Sequence, residues 1–305
     1  MIEIRTMKPD EWNQVADLIF HSTNHWYETH GLGKIFQGSP ADCLVFCEVY
    51  EDLDPDQCWV AVDSASQKIV GSCFFHPRAT HCSLGIMNTD PGYSGKGTAR
   101  QLLEKLIELS NERQQSLRLF SSAFNLDSFS LYNRQGFQPY GFFQDMLIEV
   151  PEEGFGISIH PHVRPATLED LGNIDALERR VWETSRIGDW EYFIKNERDV
   201  WNTFVFESSN EILGVLASIQ HPGSNMIGPG VMVDDPEIAE ALIVAQLEAN
   251  RGRKPVFLLP STNASVLARM YSLKARNCEI HFAQSLGNLP SINGIVMPSF
   301  LPESG

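Results

Sequence analysis

The chain has 305 residues, 43% of them hydrophobic and 10% aromatic, enough apolar surface to fill a core and to exclude wholesale disorder. Its 39 acidic and 23 basic side chains leave a net charge of -16, which repels a polyanionic backbone and argues against a nucleic-acid partner. The most apolar stretches, 212–219 and 241–245, are far shorter than the roughly 18 residues of a membrane span, and residues 1–5 lack the pattern of a signal peptide, so a cytoplasmic protein without a membrane partner is expected.

The first half reads as a strand over 2–6, then a helix from about Pro9 with Trp12, Val15, Ala16, Leu18 and Ile19 on one face. A polar, aromatic and glycine-rich passage, 21–40, interrupts the pattern, and its residues Trp26, Tyr27 and Glu28 suit a mobile lid over a polar substrate. A second helical stretch near 41–49 follows, then strands over 58–63, 68–75 and 81–89. Residues 90–98 break the strand pattern and open a helix through Asn111, followed by a strand over 116–121, a helix over 128–135 closed by Gly136, and a strand over 142–150. The run 151–156 reads as a linker between domains of 1–153 and 159–305.

The second half repeats this order in faded form. Ile4-Arg5 parallels Val163-Arg164 at an offset of 159 residues, Gly71 parallels Gly214 at 143, and GIMNTDP from Gly85 parallels GVMVDDP from Gly230 at 145. Asn125 and Tyr132 find counterparts in Asn263 and Tyr271, at 138 and 139. The falling offsets mean that the second copy has lost the passage matching 21–40 and the segment matching Gly92 to Thr98. One working site and one supporting copy are therefore expected.

The segment that the second copy lacks carries the chemistry. A strand ends at Thr89, the loop Gly92-Tyr93-Ser94-Gly95-Lys96-Gly97 follows, and a helix opens at Thr98. Glycines allow close backbone approach, and the free amides at the start of the helix form an anion cradle suited to a pyrophosphate. The spacing fits neither a Walker A loop, since Lys96 precedes Gly97, nor GxGxxG, since Arg100 stands where the third glycine would be. A glycine-rich turn with no ligand is the plain alternative.

The loop Pro91 to Ala99, together with Asn125, Leu131-Tyr132 and Gly136-Phe137, resembles the GNAT superfamily of acetyl-CoA-dependent N-acetyltransferases. Ser94 departs from that family's usual Arg or Gln. The resemblance implies an α/β (α+β) fold of two GNAT-like domains, each with a mixed, mostly antiparallel sheet splayed at an acetyl-CoA cleft, the second lacking the loop. It implies that the backbone of Met87, Asn88 and Thr89 meets the pantetheine arm. Ser94, Gly95, Gly97, Thr98 and Ala99 would hold the pyrophosphate, and Lys96 or Arg100 would add point charges. Asn125 would touch the cofactor, or merely cap a helix; Tyr132 would protonate the leaving thiolate, or merely pack.

For the acceptor, the sequence offers Trp26, Tyr27, Glu28 and His76, with Glu28, His76, His81 and Asp90 as candidate bases. A small-molecule amine is the expected substrate, and the alternatives are a lysine-rich peptide or a non-catalytic acyl-CoA-binding role. No metal is expected: the six cysteines form no CxxC pair, and His21 and His25 lack an HExxH context. A homodimer is compatible with the sequence.

Overall fold

The computed structural model describes residues 1–303. The first half contributes β1 (Ile2–Thr6), α1 (Trp12–Thr29), α2 (Leu44–Leu53), β2 (Cys58–Asp63), β3 (Ile69–Pro77), β4 (His81–Thr89), α3 (Thr98–Glu112), β5 (Ser116–Ser122), α4 (Leu126–Arg134) and β6 (Gln138–Leu147). The second half contributes β7 (Val163–Pro165), α5 (Leu171–Trp182), α6 (Ile187–Lys195), β8 (Trp201–Ser208), β9 (Glu211–His221), β10 (Ser224–Val233), α7 (Pro236–Ala249), β11 (Val256–Pro260), α8 (Ala264–Ser272), β12 (Arg276–Leu286) and β13 (Gly294–Met297). Among the described residues no helix is long and apolar enough to cross a membrane.

All thirteen strands form one continuous sheet in the order β1-β2-β3-β4-β5-β12-β6-β11-β10-β9-β8-β7, with β13 added to β10. The order is symmetric about the β12–β6 junction. Each half has one parallel pair, β4 with β5 and β10 with β11, and the remaining pairs are antiparallel. The halves exchange strands at the centre. From the second half, β12 lies against β5 (Phe282 opposite Ser121, Leu286 opposite Leu117), while β6 of the first half lies against β11 (Met146 opposite Phe257). A strand with two paired edges satisfies all its backbone donors and acceptors without water, so the junction can be buried.

One face of the sheet carries a single apolar core drawn from both halves, including Ile19, Tyr50, Phe74, Trp182, Trp190 and Phe193 beneath α1, α2, α5 and α6. The opposite face carries two separate cores. Leu102, Leu103, Leu106 and Tyr132 of α3 and α4 cover the first half, and Ile238, Leu242, Val266 and Met270 of α7 and α8 cover the second.

Two elements depart from the sequence reading. Residues 21–29 continue α1 rather than starting an irregular lid, because Ser22 and Asn24 are buried and the helical ladder persists to Thr29. The remaining loop is pinned: the Asn24 side chain donates to the Phe36 carbonyl and accepts from its amide, both at 2.9 Å, and Phe36 packs on Phe20 and Phe46. The strand expected over 142–150 runs over Gln138–Leu147 instead, set by its pairing with β12.

A buried ion pair ties the halves together. Arg78, just after β3, binds Asp54 of the first half at 2.6 and 2.9 Å and Asp189 of the second at 2.8 Å. Removing the cation strands two buried carboxylates, so Arg78→Ala is expected to destabilise the fold by about 3–5 kcal/mol, read from denaturant midpoints. A loss below about 1 kcal/mol would show that the pair is spectator chemistry.

Candidate active site

After Ser83 pairs with Arg118, β4 and β5 part company, and β4 runs on to Thr89 with β3 alone as its partner. The edge of β4 from Leu84 to Thr89 thus faces an open wedge. Its register against β3 slips between Cys73 and Phe75, which places a bulge at Gly85-Ile86. The backbone of Met87, Asn88 and Thr89 lines this wedge, and the Asn88 side chain turns away to donate to Ser22 Oγ at 2.8 Å and Thr23 Oγ1 at 3.2 Å.

Beyond Thr89, a turn of 3-10 helix over Pro91–Tyr93 leads into the glycine loop. Gly95 and Gly97 adopt φ of 72° and 83°, a left-handed conformation that side chains strain to reach. A Cβ at Gly97 would project toward Arg100 Nη2 and Gln101 Nε2, 3.8 and 3.9 Å away, and one at Gly95 would meet nothing within 4 Å. The start of α3 has no side-chain cap, so its first amides point at open space. The Thr98 side chain is buried against Gly71, leaving only its amide for a ligand. Ser94, Lys96 and Arg100 are exposed; Lys96 rests over the Tyr93 ring and Arg100 lies 3.6 Å from Glu104. A pyrophosphate fits this cradle.

The equivalent place in the second half is closed by its own chain. Asp235 caps α7, its carboxylate accepting from the Glu237 amide at 2.9 Å, which puts a negative charge where the first half keeps bare amides. In addition, β13 pairs with β10 from Gly230 to Val233, along the edge that corresponds to the open edge of β4. The remaining cleft there, about 1180 Å³, is lined by Tyr140, Asn263, Ser265, Asn293 and Ile295 among others.

Tyr132 lies on α4, its ring against Phe137 and only 7% exposed. Burial, with Cys73 and Glu303 nearby, pushes its phenol well above the ordinary tyrosine range and keeps it protonated. Asn125 accepts from the Ser128 amide at 3.0 Å and Asn263 from Val266 at 3.2 Å, so both members of that repeat cap helices. Tyr271 is exposed and donates to Gln144.

The residues expected to meet the acceptor separate. Trp26 stacks on His30, and Glu28 pairs with Lys34 at 3.7 Å on the surface. Tyr27 turns to the inter-half junction and donates to Glu279 of β12 at 2.9 Å, where Ser122 also donates to Glu279 and His281 binds Asp145 at 2.9 Å. His76 is buried, with Nδ1 2.6 Å from Asp54 and Nε2 3.6 Å from Glu303. Of the other candidate bases, Asp90 is held by Lys68 and by the Gly92 amide, and His81 lies buried with its pKa pulled well down by burial and neighbouring arginines. Sequence reasoning missed Asp145 on β6, Glu279 and His281, which β12 brings across the junction, and Glu303, which follows β13.

Residues 54–139 match the acetyltransferase (GNAT) domain family. Over its whole length the chain is similar to a putative acetyltransferase from Pyrococcus horikoshii, with 18% identity, 97% of this chain and 92% of that one covered, and a TM-score of 0.75. A tandem GNAT protein from the clavulanic acid biosynthesis pathway aligns with 13% identity over 95% and 100% of the two chains, at 0.62. Saccharomyces cerevisiae N-myristoyltransferase, solved with bound myristoyl-CoA, aligns with 12% identity over 98% and 79%, also at 0.62. No curated protein matches. Residues 54–139 therefore resemble a GNAT acetyltransferase domain, and the whole chain shares its mixed, mostly antiparallel fold with these acyltransferase structures.

The junction cluster has a pH signature. Burial lowers the His281 pKa, but Asp145 and Glu279 outweigh it and raise the folded value above 6.5. The stabilisation from this group is therefore complete below about pH 6 and is lost as pH rises through the raised folded value. The difference in Tm between the wild type and His281→Gln should shrink from acidic to alkaline buffer, and a difference that grows with pH contradicts the pairing.

Proposed function

We propose that the chain is an acetyl-CoA-dependent N-acetyltransferase that works in its first half and acts on a small cationic amine. The observation that carries this reading is the conjunction of an open β4 edge with an uncapped, glycine-led start of α3, in the half that matches the GNAT family. Acetyl-CoA would lay its pyrophosphate on the amides of Gly95, Gly97, Thr98 and Ala99 and its pantetheine along Met87 to Thr89. The neutral amine then attacks the thioester carbonyl carbon, a C–N bond forms, and the C–S bond breaks. The Tyr132 phenol, kept protonated by burial, gives its proton to the departing sulfur. The carboxylates Asp145 and Glu279 near the end of β5 favour a cationic acceptor, in keeping with the acidity of the whole chain. A myristoyl-CoA complex among the similar structures makes acyl chains longer than acetyl a useful comparison in the assay.

Calorimetric titration should find micromolar acetyl-CoA binding, on the order of 8 kcal/mol, that Gly97→Glu abolishes while the protein stays folded. In turnover, Tyr132→Phe should lower kcat roughly 10²-fold and leave acetyl-CoA affinity unchanged. A wild type that binds no acyl-CoA contradicts the transferase reading, and an unaltered kcat in Tyr132→Phe removes the phenol from the chemistry.

A further inference from the structure

The segment after β13 does not stay with the half that makes it. β13 runs along β10, and the chain then crosses to the first half, where Ser299, Leu301 and Glu303 are all buried. The Ser83 hydroxyl donates to the Glu303 carbonyl at 3.3 Å, and Ser83 is the last residue of β4 paired to β5. Glu303 therefore stands at the apex of the open wedge. Its carboxylate accepts from the Tyr50 hydroxyl at 2.5 Å, and the Phe300 carbonyl lies 3.2 Å from the same hydroxyl. The Ile86 amide, at the bulge of β4, faces the same Tyr50 hydroxyl. One phenol thus separates the carboxylate from the kink in the strand that lines the wedge.

Every element packed around Glu303 contributes a group that can be named. Tyr50 comes from α2, His76 and Cys73 from β3, Ser83 from β4 and Tyr132 from α4. Behind His76 stand Asp54, Arg78 and Asp189 in a continuous chain of contacts. Among these, Glu303 is the carboxylate that neighbours both Tyr132 and the bulge. Both Tyr132 and Glu303 retain a small exposed fraction, 7% and 9%, in an otherwise closed interior.

We propose that Glu303 is the general base of this site: its carboxylate takes a proton from the substrate ammonium so that the amine can attack the thioester. The assignment rests on the transferase reading above. The bookkeeping of atoms is simple. The ammonium N–H bond breaks and an O–H bond forms on Glu303; the amine nitrogen bonds to the acyl carbon; the sulfur leaves and takes the Tyr132 proton. The second amine proton restores Tyr132, and Glu303 releases its own to water. Burial raises the Glu303 pKa while His76 and Tyr50 restrain the rise, which suits a group that must accept a proton near neutrality. His76 is a positioning residue, bridging Glu303 to the Asp54–Arg78 pair.

The test compares two probe nucleophiles with acetyl-CoA as donor. Propylamine is protonated near neutrality and needs a base; hydroxylamine is already neutral and does not. Glu303→Gln keeps the acceptor for Tyr50 and should cut CoA release with propylamine roughly 10²-fold, leave the hydroxylamine rate within about threefold, and leave acetyl-CoA affinity unchanged. Glu303→Asp should restore part of the propylamine rate. Equal losses with both nucleophiles, or no loss with either, would overturn the assignment. So would a wild type that binds acetyl-CoA and transfers to neither amine, since a base at the wedge should serve an unhindered nucleophile. A wild type that fails to bind acetyl-CoA sinks the transferase reading instead.

Discussion

The exchange of β6 and β12 is the constraint on which the rest of this molecule depends. If each half kept its own last strand, the first half would end at an ordinary sheet edge and the second would be an appendage. Because β12 is paired on both edges, to β5 and to β6, the two halves share one sheet and one core beneath α1, α2, α5 and α6. The exchange brings Glu279 and His281 beside Tyr27 and Ser122, and the chain that follows β12 then has a short route to the first half's wedge. The Arg78 bridge from Asp54 to Asp189 locks the same arrangement from the side.

The two halves share one strand plan and differ in how they treat one cleft. In the first, strands β4 and β5 separate, a glycine caps α3, and nothing negative lies at the helix start. In the second, an aspartate caps α7 and β13 lies on the freed edge of β10. A phosphate would meet a carboxylate there rather than amides: Asp235 is the counterpart of Asp90, and without the seven loop residues it caps the long helix that follows directly. The second half keeps a structural reason to persist, since its cleft guides β13 and thereby aims Glu303.

Much of this was legible in the sequence, for identifiable reasons. Helix α3 follows from its amphipathic period, strands β2 to β5 from short apolar runs bounded by turn residues, and α7 from an apolar run opened by Pro236, and the glycine loop stands out by position. The repeat offsets point to a second, degenerate copy of the first half's element order, but they say nothing of how the two copies join in one sheet. The last turns of α1 were not legible, because the aromatic and polar residues at 21–29 mimic a loop until Ser22, Asn24 and Tyr27 find partners from outside the helix. The strand exchange was invisible too, since pairing Phe282 with Ser121 joins residues far apart in the chain and leaves no local pattern. Glu303 itself was not legible either: the adjoining tail 298–302 suits the lining of the acceptor cavity or a subunit contact equally, and its partners Tyr50, His76 and Ser83 lie more than half the chain away.

The most direct test of the account is a crystal structure with acetyl-CoA, or a non-transferable thioether analogue of it, bound to the wild type. The account predicts one molecule per chain, with its pyrophosphate on Gly95 to Ala99 and its acyl group between Tyr132 and Glu303. A ligand seated in the cleft near Asn263, or an acyl group pointing away from Glu303, would contradict it.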